Sequence, residues 1–419
     1  MPRSSLGFHT MSLSLRLSRC EYLLLIRDFT KYSHDTGLIR MYHVDGRGNY
    51  LEYRHSSDDS LVPINLRISY YQEDRGIKWL MRDNARGQES RLYIVEVTIN
   101  PKILGGIHDY ITAATYEDMP AAIESFNHIA QSISPLLQSF DYYRLTRIDY
   151  CINFALDELA PGCDPELMVN LIKRSNIPHH YEEWTEYDDK AHRKKSRPGS
   201  FYLTSSSINI NCYSKYMQLL EKSRENKERG LPPVSQATLD AARYIIRFEV
   251  QCKYNKTFDL SRDAVETGNH NYNKYESLLS YETCNEIINH YFAKTIGKKD
   301  WWTLQHAVNH IIHLHYNKQK ETRLIEALQL INHMRSVSKA KSFYQGKELK
   351  AFKQTLKDLS WDCNINPVTI PKEWGIKHIP NLLYAYYDKI EQEKSEEEIK
   401  KFREECFNEY IKKHGHLPK

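Results

Sequence analysis

The 419-residue sequence contains no apolar run long enough to span a bilayer. The nearest approach, "EYLLLIRDF" at Glu21–Phe29, is too short and is flanked by Arg16, Arg19 and Arg27. Those charges argue against a secretory signal, and the run reads as a buried strand. Eight cysteines are present but no C-x-x-C pair, so neither a zinc ribbon nor a disulfide framework is suggested. Cys151, Cys212 and Cys252 fall in strand-like runs, where free cysteine behaves as a small core hydrophobe, and a reducing cytoplasm fits them. Strong net charge is also missing. With 58 basic and 54 acidic residues the chain is not a polycation, and any nucleic-acid contact must come from local patches. Internal repeats and low-complexity segments are absent as well.

The remaining composition, 41% hydrophobic and 27% charged, is that of a soluble globular protein long enough for two domains. To about Asn255 the pattern reads as strands with helical insertions, one of them over Met119–Ser139. A polar, basic loop, "DDKAHRKKSRPGS", interrupts it. Beyond that point helical spacing dominates, notably over Trp301–Ser336, with the pair Trp301-Trp302 read as a helix-start core pair. The mixed-sign tail reads as a solvated helix. We therefore expect an α+β chain. Residues 1–256 would form an antiparallel-sheet domain with helical insertions, and 257–419 a mainly helical C-terminal domain, a candidate for DNA binding.

Four strand-like segments each alternate an apolar with a polar face, because side chains two apart in a strand lie together. In "RLYIVEVTIN" the polar side carries Glu96; in "RLTRIDYCINF" it carries Arg147, Asp149, Cys151 and Asn153. In "SININCYSK" it carries Asn209, Asn211, Tyr213 and Lys215, and in "ARYIIRFEVQCKY" Arg247, Glu249 and Gln251. A half-solvated sheet alternates in this way for solubility alone. Here three strands supply one acid apiece and the fourth a tyrosine and a lysine. If the strands share one sheet, these residues converge, and the combination suits metal-assisted phosphoryl transfer. Carboxylate oxygens hold Mg²⁺ or Mn²⁺, and a tyrosine oxygen attacks phosphorus to give a covalent intermediate. A free tyrosine titrates near pH ~10, so a neighbouring cation such as Lys215 is needed to favour phenolate.

The same four blocks, in this order, resemble the rolling-circle replication initiators of the filamentous-phage gene II protein type, related to the plasmid Rep_trans initiators. "YIVEVTINPKILGG" is similar to the family's strand ending in an acid, "LTRIDYCINF" to its T/S-R-I-D strand, "INCYSKYMQLLE" to its Y-x-K block and "IIRFEVQCKYNK" to its R-F-E strand. The resemblance implies Tyr213 as nucleophile with Lys215 as its neighbouring cation, and Glu96, Asp149 and Glu249 as a site for Mg²⁺ or Mn²⁺. Arg147 and Arg247 would steady the carboxylates or contact phosphate. Asn153 departs from relatives that carry a second acid there, and Gln218 or Glu221 stands where relatives often place a Glu after Y-x-K. The implied activity is strand-specific DNA nicking and rejoining at an origin through a 5′-phosphotyrosine, with the domain of residues 1–256 doing the nicking. Single- and double-stranded origin DNA, a host helicase and a polymerase would be its partners, with no membrane involved. A conjugative relaxase using the same chemistry, or an origin-binding protein without catalysis, stays open.

Lesser candidates surround this set. Lys190, Arg193, Lys194, Lys195 and Arg197 form the densest basic run, either simply exposed or holding phosphates in a salt-sensitive way. Tyr202 lies on the same hairpin as Tyr213 if the chain turns near Ser205. It is the rival nucleophile, a base-stacking platform or a packed core residue. His313-Leu314-His315 mimics a strand-borne metal motif, but its helical context places His306, His310 and His313 on one face as an ordinary stripe.

Overall fold

In the computed structural model the described residues are 4–37, 40–44, 50–52, 67–72, 76–86, 90–107, 111–183, 185–188, 193–195, 199–228, 232–266 and 275–414. The chain is α+β and divides into two compact units, one of Met1–Asn153 with His179–Tyr291 and one of Phe154–Pro178 with Phe292–Lys419. Position 256, the boundary expected from sequence, falls inside the first unit.

Among the described residues the first unit holds an eleven-stranded sheet. Its strands are β1 (Ser5–Leu17), β2 (Arg40–Val44), β3 (Tyr50–Glu52), β4 (Arg67–Gln72), β5 (Ile77–Arg86), β6 (Ser90–Ile99), β7 (Arg144–Ala155) and β8 (Glu182–Glu183). A separate hairpin, β9 (Glu186–Asp188) and β10 (Arg193–Lys195), precedes β11 (Ser200–Thr204), β12 (Ile208–Ser214) and β13 (Ile245–Cys252). Their order across the sheet is β3-β2-β4-β5-β6-β1-β7-β13-β12-β11-β8. The ladders from β3 to β7, and from β13 to β8, are antiparallel.

The apolar faces recognised in sequence meet one core. Met11 and Leu13 of β1, Trp79 of β5, Val95, Val97 and Ile99 of β6 and Ile148 of β7 are all buried. The helix Met119–Ile133 buries Ala122, Phe126, Ile129 and Ile133, spaced as one helical stripe. Phe126 packs on Trp79 at 5.4 Å between ring centroids and edge-on to Phe140 at 5.4 Å. Each such fully buried ring contributes roughly 1.5–3 kcal/mol through the area it removes from water.

Glu21–Phe29, read from sequence as a strand, is instead part of the helix Arg19–Thr36. Two local features decide this. Ser18 and Glu21 form a reciprocal capping box, with Ser18 N–H donating to Glu21 Oε2 at 2.7 Å and Glu21 N–H to Ser18 Oγ at 3.2 Å. Tyr22, Leu25 and Phe29 then fall on one face and are buried.

The second unit is mainly helical. Its helices include Pro165–Ile172, Leu304–His313, Lys318–Met334, Val337–Lys341, Gly346–Trp361 and Leu382–His414. Trp301-Trp302 is not a helix start but the short strand β14 (Trp301–Trp302), paired with β15 (His378–Ile379). The helix begins after it, with Thr303 as N-cap. His306, His310 and His313 are engaged separately, by Thr303 Oγ1, Cys363 O and Asn309 O, and form no metal group among the described residues. No helix among the described residues is long and apolar enough to cross a membrane.

Candidate active site

The sheet order makes β7, β13 and β12 neighbours, which brings their polar faces together. Asp149 sits on β7, Glu249 on β13 and Tyr213 on β12. In the β12–β13 ladder Tyr213 pairs with Arg247, and Asn211 with Glu249. Tyr213 is thus diagonal to Glu249, and its hydroxyl donates to Glu249 Oε2 at 3.4 Å.

The third contributor comes from β1. Phe8 pairs with Tyr150 and Met11 with Ile148, so His9 and Thr10 together oppose the single residue Asp149. This is a β-bulge, a device that re-aims a side chain. It leaves Phe8 and Met11 in the core while turning His9 to the polar face. His9, Asp149 and Glu249 each offer a ligand atom, all within 4.8 Å of one another, and His9 Nδ1 stands 3.9 Å from Glu249 Oε2.

Glu96 is not in this group. It pairs with Ser14 of β1, which in turn pairs with Arg144 of β7, five residues along that strand from Asp149. At about 3.4 Å per residue that is roughly 17 Å along the strand direction, beyond the reach of a shared ion. The correct face was read from sequence but not the row, and His9 occupies the place expected for Glu96.

Asp149 is almost fully buried and lies under a bidentate arginine, with Arg147 Nε donating to Oδ1 at 2.8 Å and Nη2 to Oδ2 at 2.5 Å. Burial raises its pKa, against the pull of Arg147. Glu249 is pushed up to about 7, first by burial and then by the charge of Asp149. His9 is held well below its ordinary value by burial and by the positive charges of Arg247, Lys215 and Arg147. A neutral imidazole and two carboxylates forced together in a poorly solvated place are a donor set that a divalent cation fits. Its ion charge would relieve the mutual repulsion that raises Glu249.

Arg247 is fully buried behind the site. Its Nε donates to Asn153 Oδ1 at 2.8 Å and its Nη2 to Ile111 O at 2.6 Å, while Nη1 is buried with no hydrogen-bond partner. Asn153 also donates to Ile111 O at 2.6 Å, so this asparagine helps to hold the guanidinium. Burial and the Glu249 charge keep the Tyr213 phenol well above its ordinary value, and Arg247 is the cation that opposes them. Lys215 is the first residue of the helix Lys215–Glu228; it is buried and donates to Gln218 Oε1 at 2.8 Å. Its Nζ lies 5.9 Å from the Tyr213 ring centre, and burial drives the amine toward its neutral form.

A cavity of about 1140 Å³ opens over these groups, lined by His9, Arg147, Asp149, Tyr202, Tyr213 and Glu249 among others. Tyr202 is on β11, joined to β12 through the turn at Ser205–Ser207, and its hydroxyl accepts from Asn209 Nδ2 at 2.7 Å. Arg193, Lys194 and Lys195 lie in β10, and their side chains, with Lys190 and Arg197, are outside the described residues.

No protein-family model matches the chain, and no curated protein matches it. Among solved structures, one of a rolling circle replication initiator protein from Geobacillus stearothermophilus is similar over 63% of this chain and 80% of that chain. The identity is 8% and the TM-score 0.26, a likeness too slight to carry an argument.

Proposed function

We propose that the first unit nicks and rejoins DNA strands at a metal-dependent site whose nucleophile is Tyr213. The observation that carries this reading is the Tyr213 hydroxyl bonded to Glu249, inside the His9–Asp149–Glu249 group. A divalent cation held by His9, Asp149 and Glu249 would stabilise charge on the scissile phosphate and on its leaving oxygen. The imidazole ligand favours Mn²⁺ over Mg²⁺.

Every other role falls to side chains of this chain. Tyr213 Oη attacks phosphorus, forming the Oη–P bond as the P–O3′ bond breaks. The phenol proton passes to Glu249 Oε2, the carboxylate oxygen to which the Tyr213 hydroxyl already donates. The leaving O3′ takes up a proton and becomes a 3′-hydroxyl, while the 5′-phosphate stays on Tyr213. Arg147 fixes the Asp149 carboxylate, and Arg247 stabilises the developing phenolate from behind. Attack by a 3′-hydroxyl reverses the sequence and seals the strand without an external energy source. At a replication origin the freed 3′-end would prime a host polymerase, with a host helicase opening the duplex ahead of it.

The test is incubation with supercoiled origin-bearing DNA and Mn²⁺, followed by denaturing gel analysis. A covalent protein–DNA adduct is expected from the native chain and from Tyr202→Phe, and none from Tyr213→Phe. An adduct that persists in Tyr213→Phe and disappears in Tyr202→Phe overturns the assignment.

A further inference from the structure

The second unit carries a cationic face that the nicking site does not use. On the helix Gly346–Trp361, Lys347, Lys350, Gln354, Lys357 and Trp361 recur at three- and four-residue steps, so they share one side, and all are exposed. Of the three acids in this segment, Glu348 stands exposed in the first turn, and the other two are neutralised elsewhere. Asp358 is paired with Arg323 at 2.6 Å and Asp362 with Lys320 at 2.6 Å, both partners being on the helix Lys318–Met334. Among the described residues no acid is paired with Lys347, Lys350, Lys353 or Lys357.

Like charges also oppose one another here. Lys341, on the helix Val337–Lys341, has its pKa lowered by burial and by Lys353. Arg174 is lowered by burial and by Arg335, with Glu373 as the one opposing acid. The two sets adjoin, because Val337 N–H donates to Arg174 O at 2.9 Å and Lys341 Nζ to Asn176 Oδ1 at 2.5 Å. Arg335 itself occupies the left-handed C-cap of its helix, at φ 52°, where glycine or asparagine is favoured. Its side chain is exposed. Fold stability alone gives no reason for a strained arginine beside another arginine; an anionic partner does. Two large aromatics stand exposed in the same segment, Phe343 at 62% and Trp361 at 77%. Positive charge interleaved with exposed rings is how single strands are held, phosphates on the cations and unstacked bases on the rings.

We propose that this face of the second unit binds single-stranded DNA, with its phosphates along the cations from Arg335 to Lys357 and a base stacked on Trp361. Binding here does not depend on Tyr213 chemistry.

The experiment measures anisotropy of a labelled twenty-nucleotide oligo-dT on the full chain without added metal, over a series of salt concentrations. Trp361→Ala is expected to weaken binding about tenfold, the loss of one base stack. Lys350→Gln with Lys357→Gln should lower the slope of log affinity against log salt by about 1.4, at ~0.7 for each lost phosphate contact. Arg335→Gly separates function from folding. It removes strain and repulsion, so thermal stability should hold or rise while affinity falls several-fold. Unchanged affinity in these variants overturns the proposal, and so does tighter binding of a duplex that is indifferent to Trp361→Ala. Adduct formation, assayed in parallel, fails or succeeds separately, so loss of one reading is distinguishable from loss of the other.

Discussion

His9 faces Asp149 because β1 spends two residues, His9 and Thr10, where β7 spends one. That single bulge completes the only group of three potential metal ligands found among the described residues. A strand without it would have carried His9 or Thr10 toward the core and put the downstream apolar residues out of phase.

His9→Gln should therefore weaken Mn²⁺ binding while leaving the fold intact, because the side chain is near neutral size and partly exposed. A loss of about 100-fold or more is expected, since even residues that merely orient ligands cost about 10–100-fold. Titration calorimetry or the Mn²⁺ electron paramagnetic resonance signal reads it directly. Equal loss in Glu96→Gln would show that the site lies elsewhere on the sheet.

The raised pKa of Glu249 fixes the sign of a pH effect. Between the ordinary 4.5 and about 7 the folded chain keeps a proton that the unfolded chain has released. The contribution of Glu249 to the stability of the metal-free protein is thus full below about pH 4.5 and declines as pH rises to about 7, while His9, held well below its ordinary value, acts in the opposite sense. The span amounts to on the order of 3 kcal/mol, and the upward shift of Asp149 acts in the same direction. Urea midpoints at pH 5 and pH 8 test this. Glu249→Gln should flatten the profile, and Mn²⁺ should restore stability most at the higher pH, where both carboxylates are ionised.

Much of this arrangement was legible in the sequence, and the failures have physical causes. Period-two alternation identified the face that holds Asp149, Glu249 and Tyr213, because a strand with one apolar side has no freedom over which side chains turn away. Alternation says nothing about sliding along the strand, so Glu96 had the right face and the wrong row. His9 was missed because a bulge breaks the period. The trace of it was present: Leu6 and Phe8 keep one phase, and Met11, Leu13 and Leu15 the other. The burial of Lys215 and Arg247 had no local signal, since it comes from strands and helices distant in sequence.

Arg147 and Asp149 are two apart on one strand, which lets the guanidinium grip both carboxylate oxygens. Arg147→Met would leave Asp149 buried and uncompensated. Breaking a buried pair costs ~3–5 kcal/mol, and because Arg147 is itself a third exposed, about 2 kcal/mol is expected. Thermal melting should show the loss without metal and a partial recovery with saturating Mn²⁺. No recovery would mean that Asp149 does not meet the ion.

Gly7 links this site to the fold. It precedes the bulge, and a Cβ built there would come within 2.2 Å of Ala114 O and 2.9 Å of Ala113 Cβ. The nearer neighbour is backbone, held by reciprocal hydrogen bonds of 2.9 Å between Phe8 and Ala114, so it has little room to give. Gly7→Ala must push β1 away at the residue before Phe8, costing about 1–3 kcal/mol as an overpacked core site does. The displacement falls two residues from His9. Denaturant unfolding and Mn²⁺ titration should therefore worsen together in this variant, whereas His9→Gln changes the second alone. A Gly7→Ala protein of native stability with undiminished metal affinity would show that the close approach of β1 to Ala114 does not set the bulge.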